Sequence, residues 1–214
     1  MYKDYRNKMY QRINSLLPQN VKSIIKVGDN METIEEQWIN SGKKVVTLDE
    51  LNPNWRDLEG KDAADVSKSL EGHQFDAMII CHGLEQMIDP ELSLLVLRDC
   101  ITHDGILIVS VYNVGHISTV INLLTEGWSP QEDGALREGH IRYFSFMSLK
   151  KLLTETGFSI INEDIYSVTE HPELTRELVQ AMRNPFLNAL SFILVCKKVH
   201  TFPFDVKIDF EDWR

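Results

Sequence analysis

Cysteine is scarce in this chain, with three residues in 214, at positions 81, 100 and 196. They form no CxxC pair and no zinc-like spacing, which removes a disulfide framework and a zinc finger from consideration. Sparse thiols in apolar surroundings read as reduced and buried, as in a cytoplasmic protein. No apolar run approaches the roughly 20 residues that cross a bilayer, so no membrane partner is expected. The N-terminus, Met1-Tyr2-Lys3-Asp4-Tyr5-Arg6, opens no apolar signal-peptide core, so export is not expected. Positive charge is also in short supply: 22 Lys and Arg face 32 Asp and Glu, for a formal net charge of −10. No run of Lys or Arg marks a basic patch. Binding a polyphosphate needs a positive footprint, so DNA and RNA are not expected partners. There is no internal repeat and no low-complexity linker.

What is present is ordinary for a globular domain: 43% hydrophobic and 25% charged residues,. A chain of this length builds one substantial core, so residues 1–214 read as a single domain. Its parts are an N-terminal helix (1–17), a core (20–200) and an acidic, aromatic tail (201–214) with Phe202, Phe204, Phe210 and Trp213. Strand-like and helix-like stretches alternate, the pattern of an α/β layered fold. Tyr2, Tyr5, Met9, Ile13 and Leu16 fall at helical spacing. Strands are expected at 21–28, 43–49, 75–81, 106–111, 158–165 and 190–197. Helices are expected at 31–41 and 148–156, stopped by Gly42 and Gly157, and at 62–70, 90–102 and 172–182. Asp104-Gly105 reads as a turn. In a doubly wound sheet, ligands sit outside the carboxyl ends of the strands, where strand order reverses. That places the site near residues 28–32, 49, 62–65, 81–86 and 112–116.

Individually weak signals occur here in a telling order. They are Gly28, Asp49, Phe75-Asp76, Leu84-Glu85, Asp104-Gly105 and Tyr112-Asn113-Val114-Gly115-His116. Then follow His140-Ile141-Arg142-Tyr143-Phe144-Ser145 and Leu149 through Gly157-Phe158. This series resembles the class I S-adenosylmethionine-dependent methyltransferases, including segments similar to their HxRxF and LxxLLxxxGF blocks. The resemblance spans roughly residues 20–200. It implies a Rossmann-like fold, doubly wound, with a mostly parallel seven-stranded sheet and helices on both faces. It also implies S-adenosylmethionine as cofactor and a small molecule as methyl acceptor. By the same resemblance, Gly28 and Asn30 belong to the cofactor loop, Asp49 holds the ribose hydroxyls, and Asp62 or Asp65 meets the adenine amino group. Cys81 and His82 fall where donor faces acceptor, and the first helix, with Tyr2, Tyr5 and Tyr10, folds over the pocket as a lid. Segment 113–147 is the expected acceptor cover.

The chain departs from the resemblance at its cofactor loop, Lys26-Val27-Gly28-Asp29-Asn30-Met31-Glu32. The family places an acid followed by three glycines at alternate positions; here Lys26 replaces the acid, and Asn30 and Glu32 replace two glycines. Asn tolerates left-handed backbone better than most residues. Asp29 and Glu32 fit the D-x-x-E capping-box pattern, which would occupy the helix terminus with the protein's own carboxylates. Gln86 stands where the family commonly has His. Two functions therefore stay open. One is a small-molecule methyltransferase in which His82, His116 or His140 removes the acceptor's proton, since imidazole titrates near neutrality. The other is a catalytically degenerate fold acting as a binding or scaffold subunit, with a protein partner or homodimer. A third reading, an anionic ligand recruited by Lys26, rests on that residue alone. Each histidine also has a structural reading as a strand-end or loop brace, Asp49 as a turn residue, and Tyr112 and Tyr143 as pocket walls. Cys81 shows no activating neighbour for nucleophilic work. No metal-ligand cluster is evident in the sequence.

Overall fold

The computed structural model describes residues 2–51, 56, 67–168 and 172–199. Asp62, Asp65 and the tail 201–214, all singled out by the sequence, lie outside the described residues. The elements are α1 (Tyr2–Leu16), β1 (Ser23–Gly28), α2 (Glu32–Asn40), β2 (Lys44–Thr47) and α3 (Leu48–Leu51). Then come β3 (Phe75–Cys81), a 3-10 turn (Leu84–Gln86), α4 (Pro90–Arg98), β4 (Ile101–Tyr112) and α5 (Ile117–Thr125). The chain continues with α6 (Phe146–Glu155), β5 (Phe158–Ser167), α7 (Pro172–Met182) and β6 (Ala189–Lys198).

Six strands form one sheet in the order β2-β1-β3-β4-β6-β5. The pairs β1–β2, β1–β3 and β3–β4 are parallel, whereas β4–β6 and β5–β6 are antiparallel. The sheet is therefore mostly a doubly wound one, with six strands among the described residues rather than seven. Strand order reverses between β1 and β3, so the cleft opens at their carboxyl ends.

Side chains alternate across the strands and build two cores. Ile25, Val27, Met78, Ile80, Leu107 and Val109 pack with Leu92, Leu97, Leu149 and Leu153 on the α4/α6 face. Ile24, Ala77, Ile79, Ile106 and Ile108 pack with Met9, Ile13, Ile34 and Trp38 on the α1/α2 face. Fully burying each such large aliphatic side chain contributes about 1.5–3 kcal/mol. With both faces covered, β3 reads as a continuous apolar run.

Local chemistry sets the helix starts. Asp89 caps α4, its Oδ1 accepting from Leu92 N at 2.9 Å with Pro90 in the first turn,. Ser145 and Ser148 form a reciprocal capping box on α6,. Two boundaries differ from expectation. Helix α4 ends at Arg98, and β4 runs from Ile101 straight through Asp104-Gly105. Pairing to β3 changes register there, between Ile101 and Ile106, so the expected turn is an irregularity within a strand. Helix α5 lay inside the expected cover segment without a helix signal. Its Ile117, Thr119, Val120 and Ile121 are β-branched, which lowers helix propensity.

Candidate active site

The carboxyl ends of β1, β2 and β3 bring Gly28, Asp29, Asp49, Cys81 and His82 to one edge of the sheet. A cleft of about 550 Å³ lies there, lined by residues that include Lys26, Gly28, Asn30, Asp49, Arg56 and Arg137. Gly28 has φ of +96°, and a Cβ on it would sit 2.2 Å from the Cys81 carbonyl oxygen. The glycine is thus required by the close approach of β1 to β3, whatever the cleft holds. Asp29 N continues that approach, donating to the Cys81 carbonyl at 2.7 Å.

The expected capping box is not made. Met31 is the N-cap of α2 and its side chain makes no capping bond. Glu35, not Glu32, reaches back: its Oε1 accepts from Met31 N at 3.0 Å. The same oxygen lies 2.9 Å from the buried Lys26 ammonium, which also donates to the Asp29 carbonyl at 3.0 Å. Lys26 thereby satisfies the requirement that a buried charge be paired. Asn30 Oδ1 accepts from Glu32 N at 3.0 Å, an Asx-type turn. Glu32 itself is exposed at the rim of the cleft.

Asp29 turns inward and is 7% exposed. Its Oδ2 lies 3.1 Å from His82 Nδ1 and accepts from the Tyr10 hydroxyl at 3.3 Å. Its Oδ1 accepts from Arg137 Nη1 at 2.8 Å. Burial alone would raise this carboxyl, but the bonds and charges of His82 and Arg137 hold it well below the usual carboxylate range,. An ionised Asp29 accepts only, so His82 Nδ1 carries a proton,. His82 Nε2 is buried without a hydrogen-bond partner among the described residues. The residue holds φ of +46°, a left-handed conformation that is uncommon for a non-glycine side chain and concentrates at functional sites.

The imidazole of His82 stacks on Tyr112, with centroids 3.9 Å apart and planes at 21°. His140 flanks the same tyrosine at 5.9 Å. Its Nδ1 faces the Ala135 carbonyl at 3.3 Å, leaving Nε2 buried and unpartnered. Burial lowers His140 to about 4, so its ring is neutral at physiological pH. Glu85 is also buried: Oε1 accepts from Tyr112 N at 2.8 Å, while Oε2 has no partner among the described residues. Desolvation raises its carboxyl to about 7 despite the neighbouring His82. The Tyr112 hydroxyl donates to Asp133 at 2.6 Å.

His116 stands apart from this group. It caps α5, its Nδ1 accepting from Ser118 N at 3.3 Å, and its Nε2 donates to the Val168 carbonyl at 3.1 Å. Both nitrogens brace the loop. Cys81 is fully buried, and desolvation raises its thiol well above the ordinary range, so it contributes backbone rather than a thiolate. Asp49 lies in α3, immediately beyond β2, and faces the cleft. Its Oδ1 is 3.0 Å from Arg56 Nη1, and Arg56 Nε donates to Gln86 Oε1 at 3.0 Å. Asp29, Cys81 and His82 also offer ligand-type atoms within 4.8 Å of one another. Arg137 and Tyr10 already occupy the Asp29 oxygens, so this trio is described by its hydrogen bonds.

The sequence reading did not single out Arg137, Asp133 or Arg56 for the site. Arg137 meets Asp29 across 108 positions, and no local spacing encodes such a contact.

Helix α1 covers the site from one side, with Tyr5 and Tyr10 buried. The Tyr5 hydroxyl bonds Ser191 Oγ, and its ring stands 5.9 Å from Tyr112.

The site thus combines an open parallel edge with an acid after the second strand and a buried polar group after the third. Residues 12–163 match the methyltransferase domain family. The chain belongs to that family, within the class I S-adenosylmethionine-dependent methyltransferases. The fold is similar to an S-adenosylmethionine-dependent methyltransferase from Archaeoglobus fulgidus, with TM-score 0.62, 15% identity, and coverage of 91% of this chain and 94% of the other. It is also similar to one from Methanosarcina mazei, with TM-score 0.55, 13% identity, and coverage of 88% and 97%. A third similar structure is the Burkholderia thailandensis 1,6-didemethyltoxoflavin-N1-methyltransferase with its substrate and S-adenosylhomocysteine bound. There the TM-score is 0.51, identity 13%, and coverage 90% and 76%. No curated protein matches the sequence. No helix among the described residues is long and apolar enough to cross a membrane.

Proposed function

We propose that this protein methylates a small-molecule acceptor, with His82 as the base that takes the acceptor's proton. The observation that carries the reading is the Asp29–His82 pair. Nδ1 is held by a carboxylate and Nε2 is buried without a hydrogen-bond partner among the described residues. An oriented imidazole whose free nitrogen has no competing bond is the geometry a general base needs. Asp29 fixes the tautomer and stabilises the ring once it is protonated.

The residues of the cleft fit the cofactor. Carboxylates (Glu35, Asp49) stand beside cations (Lys26, Arg137), which suits a ligand carrying an ammonium, a carboxylate and a ribose diol. Asp49 holds the ribose hydroxyls, and Gly28, Asn30 and Cys81 shape the floor through their backbone. When bound, S-adenosylmethionine supplies a methyl group on a sulfonium, an electrophile needing little beyond alignment. His140, neutral and unpartnered at Nε2, lies on the acceptor side as an alternative proton acceptor. His116 supports that side through α5.

A small acceptor is supported by the cover that α1 lays beside His82, with Tyr10 bonding Asp29 and the Tyr5 ring 5.9 Å from Tyr112. The Burkholderia enzyme, which acts on a small heterocycle, adds support by analogy. We assign the protein to the cytoplasm, with any protein partner or second copy acting outside the cleft.

The test is transfer from methyl-labelled S-adenosylmethionine to panels of small phenols, amines and heterocycles. Labelled product that is lost in His82→Gln, with cofactor binding retained, is the expected result. Failure of the wild type to bind S-adenosylmethionine or S-adenosylhomocysteine at millimolar concentration overturns it.

A further inference from the structure

The cofactor's methionine end carries a carboxylate, and a helix N-terminus is the usual place to receive one. Here that place is taken. The amides of Asp29, Met31 and Glu32 already donate to the Cys81 carbonyl, to Glu35 and to Asn30. An anion arriving at this loop finds three donors committed to the chain's own acceptors. With those three amides committed, a side chain of the cleft is the better-placed group to receive the carboxylate.

Three cations line it. Lys26 is buried and satisfied by Glu35 and the Asp29 carbonyl. Arg56 spans Asp49 and Gln86. Arg137 differs from both. Its side chain is 30% exposed, and of its five N–H donors one, on Nη1, bonds Asp29. Among the described residues the rest of the guanidinium has no hydrogen-bond partner. It comes from the segment beyond α5 and lines the cleft beside the loop it touches.

We infer that Arg137 receives the carboxylate of the cofactor, through the face of its fork that Asp29 leaves unused. Asp29 holds the guanidinium in place from one side while the ligand takes the other, the bidentate geometry that suits Arg. Recognition of the anionic end then falls to a side chain rather than to backbone amides. The inference rests on the cofactor reading above.

Calorimetry with two nucleosides tests it. S-adenosylhomocysteine carries the amino-acid end, and 5′-methylthioadenosine has the same nucleoside without it. In wild type, S-adenosylhomocysteine is expected to bind more tightly. Arg137→Ala should weaken S-adenosylhomocysteine by about ten- to a hundred-fold, the worth of one charge-assisted contact. The affinity for 5′-methylthioadenosine should stay within about two-fold by the same reasoning. Arg137→Lys, which keeps the charge and loses the fork, should fall between, and it serves as the readout if the alanine variant does not fold. Equal weakening of both nucleosides, or of neither, overturns the role of Arg137 while leaving the cofactor reading intact. Binding of neither nucleoside by the wild type overturns both.

Discussion

Asp29 Oδ2 lies 3.1 Å from His82 Nδ1, and the two side chains are 5% and 0% exposed. The pair ties the loop after β1 to the end of β3 and leaves one imidazole nitrogen available. Its energetic worth can be read without knowing the methyl acceptor. A double-mutant cycle of Asp29→Asn and His82→Gln, followed by urea denaturation, should return a coupling of about 1–3 kcal/mol. Additive single effects would mean that the contact does not orient the ring.

Asp49 is expected to carry cofactor affinity from its place just past β2. A ligand at 100 times its dissociation constant adds about 2.7 kcal/mol of stability. For a domain of this size that is roughly 5–10 °C in melting temperature. S-adenosylhomocysteine should raise the melting temperature of wild type by that order and leave Asp49→Ala unmoved. A full shift in the variant would reassign Asp49 to holding Arg56.

Glu85 and His140 should give opposing pH dependences of stability. The Glu85 carboxyl rises from its ordinary value to about 7, so the folded state binds its proton more tightly than the unfolded chain. That contribution is complete below about pH 4.5 and is lost as pH rises through about 7. His140 falls to about 4, so its contribution is complete above about pH 6.5 and is lost as pH drops through about 4. Urea midpoints between pH 4.5 and 8 separate the two. Glu85→Gln should remove the alkaline decline, by a few kcal/mol at most, and His140→Gln the acidic one. Parallel profiles for wild type and both variants would contradict this assignment.

Gly28→Ala should be severely destabilising even without ligand. The new methyl would overlap the Cys81 carbonyl at 2.2 Å and approach the Gly83 backbone at 2.9 Å, at a φ of +96°. Neither neighbour is a flexible side-chain end, so relief requires moving β1 against β3. A loss of at least about 3 kcal/mol, or failure to fold, is expected. A near-normal urea midpoint would show that the strand ends can separate.

Much of this architecture was legible because strands with both faces covered are written as apolar runs. Phe75–Cys81 is the plainest case, and its expected bounds match β3. Helix α6 was announced by Leu149 and Leu153 and by Gly157. The ends of the cleft strands followed from the same periodicity, which is why Gly28, Asp49, Cys81 and His82 could be placed on one edge. What local pattern misled was capping: D-x-x-E fits Asp29 and Glu32, but the tertiary partners His82, Tyr10 and Arg137 draw Asp29 inward. Glu35 takes over the reach-back because Lys26 faces it from β1. Arg137 was illegible for a related reason, since its contact with Asp29 is made across 108 positions of the chain.

The Lys26–Glu35 pair couples two positions of the cleft. Each residue is tolerable only beside the other. A carboxylate at position 26 with Glu35 retained would bury two like charges at contact distance, and a neutral residue at 35 would strand the Lys26 ammonium. Removing one partner of a buried pair typically costs about 3–5 kcal/mol. A single change of Lys26 to an acid, with Glu35 kept, is therefore expected to be strongly destabilising. Exchanging the two residues together should cost less than the sum of the single changes.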